Sequence, residues 1–342
     1  MNGARPGSRR RRLVALVPVL VGLAASAACS NSKDAPSILQ PGSKAVGRVE
    51  GLWWLMFWIS AVVVAVVIGF LAVAVLRRRA DLGPVDQGTV RWGEPFIAIA
   101  GLGVSGVVLG GTFVVSLGAL HVLSEPPTKP SLTIEVEGRN WWWELRYPHA
   151  VVTANEIHIP ARRPVEIVLS TFDVIHSFWV PQLQVKMDTI PGQDNRLWLV
   201  ADKPGRYRGQ CAEYCGLQHA HMAFDVVAMP PRQFEAWLAR ESQPAAEPQT
   251  PAASHGRDLF VSSSCAGCHR IRGTEAAGEL GPDLTHLASR ATIGAGLLPL
   301  TPGNLADFVA NPQDDKPGAT MPPTEITPHD LDDLVEYLMQ LK

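Results

Sequence analysis

The chain has 342 residues, room for two or three units at a prior of about 150 residues each. Apolar residues make up 46% and charged residues only 18%, below the roughly 25% usual for soluble globular domains, which points to membrane-embedded segments. Basic and acidic residues number 30 and 32, a net of −2, so nothing electrostatic argues for a nucleic-acid partner, and 5 cysteines are too few for a disulfide-dense secreted scaffold.

Residues 1–29 read as an export signal. Arg5 and Arg9–Arg12 form a positive n-region, Leu13–Ala25 an apolar core, and Ser26, Ala27 and Ala28 precede Cys29. That core is short of the about 20 residues a spanning helix needs. Two processing outcomes compete: cleavage after Ala25-Ser26-Ala27, or lipidation of Cys29, although Ser26 stands where a lipobox usually has Leu. Residues 45–125 then read as a transmembrane hairpin, with uncharged spans at 51–76 and 95–120, each long enough to cross about 30 Å of hydrocarbon. Arg77, Arg78, Arg79 and Arg91 lie between the spans, which puts the short loop in the cytoplasm and both chain ends outside. Trp53, Trp54 and Trp58 suit one interface and Trp92 the other.

The rest of the chain is therefore expected to be extracytoplasmic. Residues 126–240 give short alternating runs broken by Pro and Gly. Leu132, Ile134 and Val136 alternate with Thr133, Glu135 and Glu137, and 165–169, 197–200, 207–210 and 224–228 are further strand candidates. Strands at this spacing predict an antiparallel sandwich or barrel. Its chemistry is concentrated in Cys211, Glu213, Cys215, His219, His221 and Met222, with His176 upstream. Thiolate, imidazole and thioether donors favour copper, zinc or iron–sulfur. Two thiolates exceed the need of one blue copper and fit two coppers bridged by the two sulfurs. A Cys₂His₂ zinc site on Cys211, Cys215, His219 and His221 is an alternative, and so is a disulfide; neither uses Met222 or His176.

With these residues in view, the domain resembles subunit 2 of the haem–copper cytochrome c oxidases, which carries a binuclear Cu(A) centre on a cupredoxin fold. The matching stretches are Gly138-Arg-Asn-Trp141-Trp142-Trp143, His176-Ser-Phe-Trp-Val-Pro181, Lys186-Met-Asp188, Ile190-Pro191-Gly192 and the loop from Cys211 to Met222. The resemblance implies Cu(A) ligands at His176, Cys211, Cys215, His219 and Met222 together with the Glu213 carbonyl. It also implies a magnesium ion on the Glu213 carboxylate at the subunit 1 interface, and electrons admitted from cytochrome c at a surface Trp141, with Trp143 a weaker candidate. His221 falls at a non-ligand position. One departure stands out. The family often has a Glu three residues before the Trp that opens the second span, serving a proton channel in subunit 1. Here Thr89 holds that place and Glu94 is out of register.

Pro244, Pro248 and Pro251 among Ala, Gln, Ser and Glu make 241–253 an extended, flexible linker. Residues 254–342 form a second compact unit, in which Cys265-Ala-Gly-Cys268-His269 is a c-type haem attachment site. Two thioethers would hold the haem and the imidazole would ligate iron. Met321 is the expected sixth ligand, since Met339 falls on a helix pattern and His255, His286 and His329 are lesser candidates. Pro282 resembles the family's haem-edge proline. Thr327-Pro-His-Asp330 predicts a capped helix start, and Leu331, Leu334, Val335, Leu338 and Leu341 form its apolar stripe.

The expected architecture is a multidomain membrane protein: a two-helix hairpin, an all-β cupredoxin sandwich and a small all-α cytochrome c domain. The expected role is subunit 2 of a bacterial terminal oxidase, in which subunit 1 reduces oxygen. The donor would be a bc1-type complex or a cytochrome c, and electrons would pass by haem c to Cu(A). A nitric oxide reductase subunit and a membrane-anchored copper-binding protein are the alternatives.

Overall fold

The protein is described by a computed structural model over residues 36–76 and 93–342. The export signal, Cys29, the arginine-rich loop, Thr89 and Trp92 lie outside the described residues.

Two helices, α1 (Lys44–Leu76) and α2 (Gly93–Ser124, with a π-helical stretch at Ile97–Val104), are long and apolar enough to cross a membrane. Val62, Leu71, Leu109 and Phe113 point outward rather than into protein. Such surface is stable in hydrocarbon, where a helix satisfies its backbone internally. Glu94 lies exposed in the first turn of α2. Ala45 and Val46 of α1 are buried, and Ala45 packs with Trp198, Val200 and Leu123. The Ser43 hydroxyl donates to Leu183 O (2.7 Å) while accepting from Val46 N (3.2 Å). The hairpin is thus seated on the domain above it.

That domain is a sandwich of two five-stranded sheets. One contains β1 (Leu132–Arg139), β2 (Trp142–Tyr147), β3 (Val151–Ala154), β5 (Val165–Thr171) and β8 (Asn195–Leu199), in the order β3-β2-β1-β5-β8. The other contains β4 (Glu156–Pro160), β6 (His176–Trp179), β7 (Met187–Thr189), β9 (Gly205–Cys211) and β10 (Ala223–Met229), in the order β4-β10-β9-β6-β7. The sandwich is not wholly antiparallel, since β1 pairs with β5 and β4 with β10 in parallel. Ile134, Val136, Val165, Ile167 and Leu169 turn inward as their alternation predicts, meeting Phe178, Phe224 and Val226 from the opposite sheet. Helix α3 (Pro231–Glu241) closes one end with Phe234 and Trp237. His158 stacks on Trp237 at 4.2 Å, and burial pushes its pKa down to about 4.

The C-terminal unit is helical: α4 (Pro251–Ser262), α5 (Cys265–Cys268), α6 (Pro302–Ala310), α7 (Pro312–Asp315) and α8 (Pro328–Leu338), with a short hairpin of β11 (Thr292–Ile293) and β12 (Leu298–Pro299). Helix α8 begins as its sequence predicts, Thr327 Oγ1 accepting from Asp330 N at 3.2 Å with Pro328 in the first turn. Leu334, Val335, Leu338 and Leu341 are buried against Phe260 and Leu305.

The expected flexible linker is revised to a pinned strap. Helices α3 and α4 shorten it to 242–250, and its backbone is stitched to the cytochrome unit. Ala245 N donates to Arg272 O (2.8 Å), His286 Nε2 faces Gln243 O (3.1 Å) and Gln249 N donates to Gln340 Oε1 (2.8 Å). Arg272 reaches back to the carbonyls of Glu241 and Ser242.

Candidate metal centres

His176 opens β6, Cys211 closes β9, and the loop that follows brings Cys215, His219 and Met222 back beneath them. One ligand atom each from His176, Cys211 and Cys215 lie within 4.8 Å of one another, all three residues buried. The two sulfurs are 3.8 Å apart, Cys215 Sγ stands 3.7 Å from His219 Nδ1 and 3.8 Å from Met222 Sδ, and the Glu213 carbonyl faces Cys211 Sγ at 3.1 Å. The donors predicted from the sequence are therefore gathered in one place. The exposed Glu213 side chain points away to the surface.

The tautomer of His176 follows from its partner. Its Nε2 lies 2.7 Å from a carboxylate oxygen of Asp173, an acceptor only, so Nε2 carries the proton and Nδ1 is left with a lone pair. Nδ1 is buried and finds no hydrogen-bond partner. An orphaned lone pair beside two thiols is the donor geometry a soft metal needs. Burial pulls the His176 pKa down, but the hydrogen bond to Asp173 and its negative charge outweigh it and the net shift is upward. The sulfurs oppose each other. Cys211 is held well below the usual thiol range, first by the hydrogen bond from Cys215, while Cys215 facing that thiolate is pushed up. Cationic metal between them would let both ionise.

Asp173 was not singled out in the sequence. It accepts from Asn140 N (2.7 Å) and Val174 N (2.7 Å) besides holding His176, which fixes the imidazole plane. Its only sequence signal is a carboxylate three residues before the upstream histidine. Gly138 flanks the same ring: a Cβ there would come within 2.7 Å of His176 Cδ2. Trp143 closes the other side with Phe178 and Phe224, ring centroids 5.7 and 5.5 Å away.

Neither alternative at this loop is assembled as the sequence suggested. Cys211 and Cys215 form no disulfide. His221 turns from the cluster, its Nδ1 2.7 Å from Gln218 Oε1, so the zinc set that relied on His221 is not formed. Neither tryptophan named for electron admission is a surface residue. Trp143 is fully buried core and Trp141 is 9% exposed. Trp141 instead donates its Nε1–H to Cys215 O at 2.9 Å, tying it directly to the metal loop.

In the C-terminal unit, Cys265, Cys268 and His269 lie on and just after α5, with no disulfide between the sulfurs. His269 Nδ1 lies 2.8 Å from Pro282 O, so Nδ1 carries the proton and Nε2 is free to bind iron. Burial holds the ring below the usual imidazole pKa, hence neutral. Gly281 lies flat on the ring; a Cβ would approach His269 Cε1 to 2.6 Å. A neutral, oriented imidazole beside two half-buried thiols fits a covalent haem. Met321 sits half-buried on a loop fixed by Gln313, whose Nε2 donates to Ala319 O and Met321 O, each at 2.9 Å. The competing sixth ligands are engaged elsewhere. His255 and His329 face Asp333 (2.7 and 3.4 Å), His286 faces Gln243 O, and Met339 packs in the helical core.

Comparison with known proteins agrees with this anatomy. Residues 149–229 match the family described as cytochrome c oxidase subunit II, periplasmic domain, and residues 253–342 match cytochrome c. The cytochrome c oxidase subunit 2 of Alkalihalophilus pseudofirmus is 39% identical over 211 residues, 61% of each chain. That of Bacillus sp. (strain PS3) is 35% identical over 228 residues, 63% of each chain. The chain thus spans about three fifths of the length of the curated relatives it matches. A solved periplasmic domain of subunit II from Bradyrhizobium japonicum is 30% identical, covering 33% of this chain and 95% of that one at a TM-score of 0.33.

Proposed function

We propose that this chain, which joins a cytochrome c oxidase subunit II periplasmic domain to a cytochrome c domain, is the electron-transfer subunit of a bacterial haem–copper terminal oxidase. It takes electrons from a donor such as a bc1-type complex or a cytochrome c and delivers them to a catalytic subunit 1 that reduces oxygen to water. The observation that carries this reading is the buried, unpartnered Nδ1 of His176 facing two thiols 3.8 Å apart. Two coppers held by the two thiolates, together with a covalent haem, would supply one-electron chemistry.

Cu(A) would be held by the imidazoles of His176 and His219, the thiolates of Cys211 and Cys215, the thioether of Met222 and the Glu213 carbonyl. Cys265 and Cys268 hold the haem, His269 and Met321 its iron, and Pro282 orients the proximal ring. Asp173 holds the His176 proton, and the aromatic wall of Trp143, Phe178 and Phe224 excludes water behind the site. Tyr214 and Leu217, 75% and 78% exposed on the metal loop, sit with Phe172, Val174 and Ile175 as exposed apolar side chains in the same domain. Apolar surface of that kind supports docking on subunit 1, with the Glu213 carboxylate at the contact and able to hold a magnesium ion there. The hairpin anchors the chain with both redox domains on the extracytoplasmic face.

The test is metal analysis with a near-infrared spectrum of the purified complex, followed by oxygen and nitric oxide consumption. Two coppers and one iron per chain, a mixed-valence band lost in Cys211→Ser, and oxygen uptake are expected. Zinc, or a single copper in fresh material, overturns the copper assignment. Nitric oxide turnover without oxygen uptake moves the subunit to a different enzyme.

A further inference from the structure

The cytochrome unit does not hang free of the cupredoxin domain; it is seated on the metal loop, and the contact converges on one side chain. Lys316, just after α7, is 4% exposed. Its Nζ lies 2.7 Å from Trp141 O, 3.0 Å from His221 O and 2.9 Å from Gly294 O. Two of these carbonyls belong to the cupredoxin domain and the third to the cytochrome unit's own hairpin. An amine so enclosed has given up its water, and burial pushes its pKa down to about 7. Three carbonyl acceptors are what it meets in place of solvent.

The surrounding contacts run in the same register. Gln218 Nε2, in the metal loop, donates to Pro317 O at 2.7 Å, and Gly318 rests on Leu217 so closely that a Cβ would meet its Cδ1 at 2.9 Å. Ala223 N, next to Met222, donates to Ala295 O at 3.0 Å, and Ala291 N donates to a carboxylate oxygen of Glu156 at 2.6 Å. Arg139 donates to Glu279 O at 3.0 Å, close to Pro282. The segment in contact, 316–318, leads directly into Met321.

We infer that Lys316 is the interdomain latch: seated in a cup of carbonyls from both domains, it holds the Met321 loop of the cytochrome unit on the Cys215–His221 loop and covers Trp141. Lys316 is a positioning residue, acting through the loops it joins. Trp141 then serves as an internal contact between the two domains, closed to an external cytochrome. This reading of what the latch positions rests on the function proposed above, whereas the latch itself does not.

The experiment is amide hydrogen exchange on the full-length chain in detergent, with and without its metals, comparing wild type with Lys316→Met, which keeps the length and removes the amino group. Ala223 and Ala291, whose amides bridge the domains, should lose protection by about tenfold or more, as expected for deleting one partner of a buried, hydrogen-bonded polar contact. Amides of β1, β5 and α8 should keep theirs. In the metal-loaded protein, single-turnover oxidation of haem c by the copper site should slow by a similar factor, with both optical spectra unchanged. Wild-type protection at Ala223 and Ala291 overturns the latch, and so does equal loss in the strands and α8, which would make Lys316 a folding residue. Protection lost as expected in a chain that binds no copper sinks the proposed function and leaves the latch standing.

Discussion

Asp173→Ala probes the copper assignment without touching a ligand. The carboxylate accepts three hydrogen bonds, from His176 Nε2, Asn140 N and Val174 N. Asn140 and Val174 lie at part-buried and exposed contacts where water replaces the lost acceptor. His176 is wholly buried, so its Nε2–H is left unpaired. One such group costs about 1–3 kcal/mol, and the imidazole recovers that cost only by turning toward another acceptor, which takes Nδ1 out of line. The expected loss is therefore about 10–100-fold in copper affinity, the range found when a metal-bound histidine loses its carboxylate partner. The assay is chelator competition followed by the near-infrared band, with the haem spectrum as an internal standard for folded protein. Asp173→Asn keeps one acceptor oxygen and should fall between the two. Copper held by Asp173→Ala as tightly as by wild type, in protein with an intact haem spectrum, refutes the reasoning.

The remaining predictions address each domain in turn. Met222→Leu fills the same buried space, so stability should change by less than about 1.5 kcal/mol in denaturant titration, while the copper band shifts or disappears. Met321→Ala should remove the thioether-to-iron charge-transfer band and lower the haem potential in a redox titration, with the copper spectrum intact. His158, half-buried and held at about 4 against an ordinary 6.5, binds fewer protons folded than unfolded between those values. Stability should therefore rise with pH across that window and be lost as pH falls through it, by about 3 kcal/mol in all. His158→Phe, retaining the stack on Trp237, should flatten this slope in urea titrations at pH 4.5 and 7.

What the sequence made legible were the features with a local signature: β1 and β5 from their alternation, α8 from its cap and stripe, and the gathering of Cys211, Cys215, His219 and Met222 in one loop from their spacing. What it hid were features created by tertiary contacts, some of them with the second domain. Strand β2 is buried along nearly its whole length, and β4 likewise, so neither shows a period of two. Glu144 and Glu156 are charged yet buried, and read as surface positions in the sequence. Lys316, in a run of Gln, Asp, Asp, Lys, Pro and Gly, looks like a polar turn. Asp173 is held by Asn140, just past the neighbouring strand β1, a contact that no spacing along the chain encodes. The mixed sheet was also invisible, because parallel partners such as β4 and β10 are distant in sequence.

The strap at 242–250 changes how ionic conditions should bear on turnover. A carrier that must find its acceptor by diffusion works fastest in dilute buffer and slows as salt screens the attraction between them. Under the proposed function the carrier is the cytochrome unit, stitched along its leash and seated through main-chain carbonyls, so the handover inside the polypeptide should be indifferent to salt and to solvent viscosity. Sensitivity to either would then belong to the step before it, the arrival of an outside reductant at the haem-bearing domain.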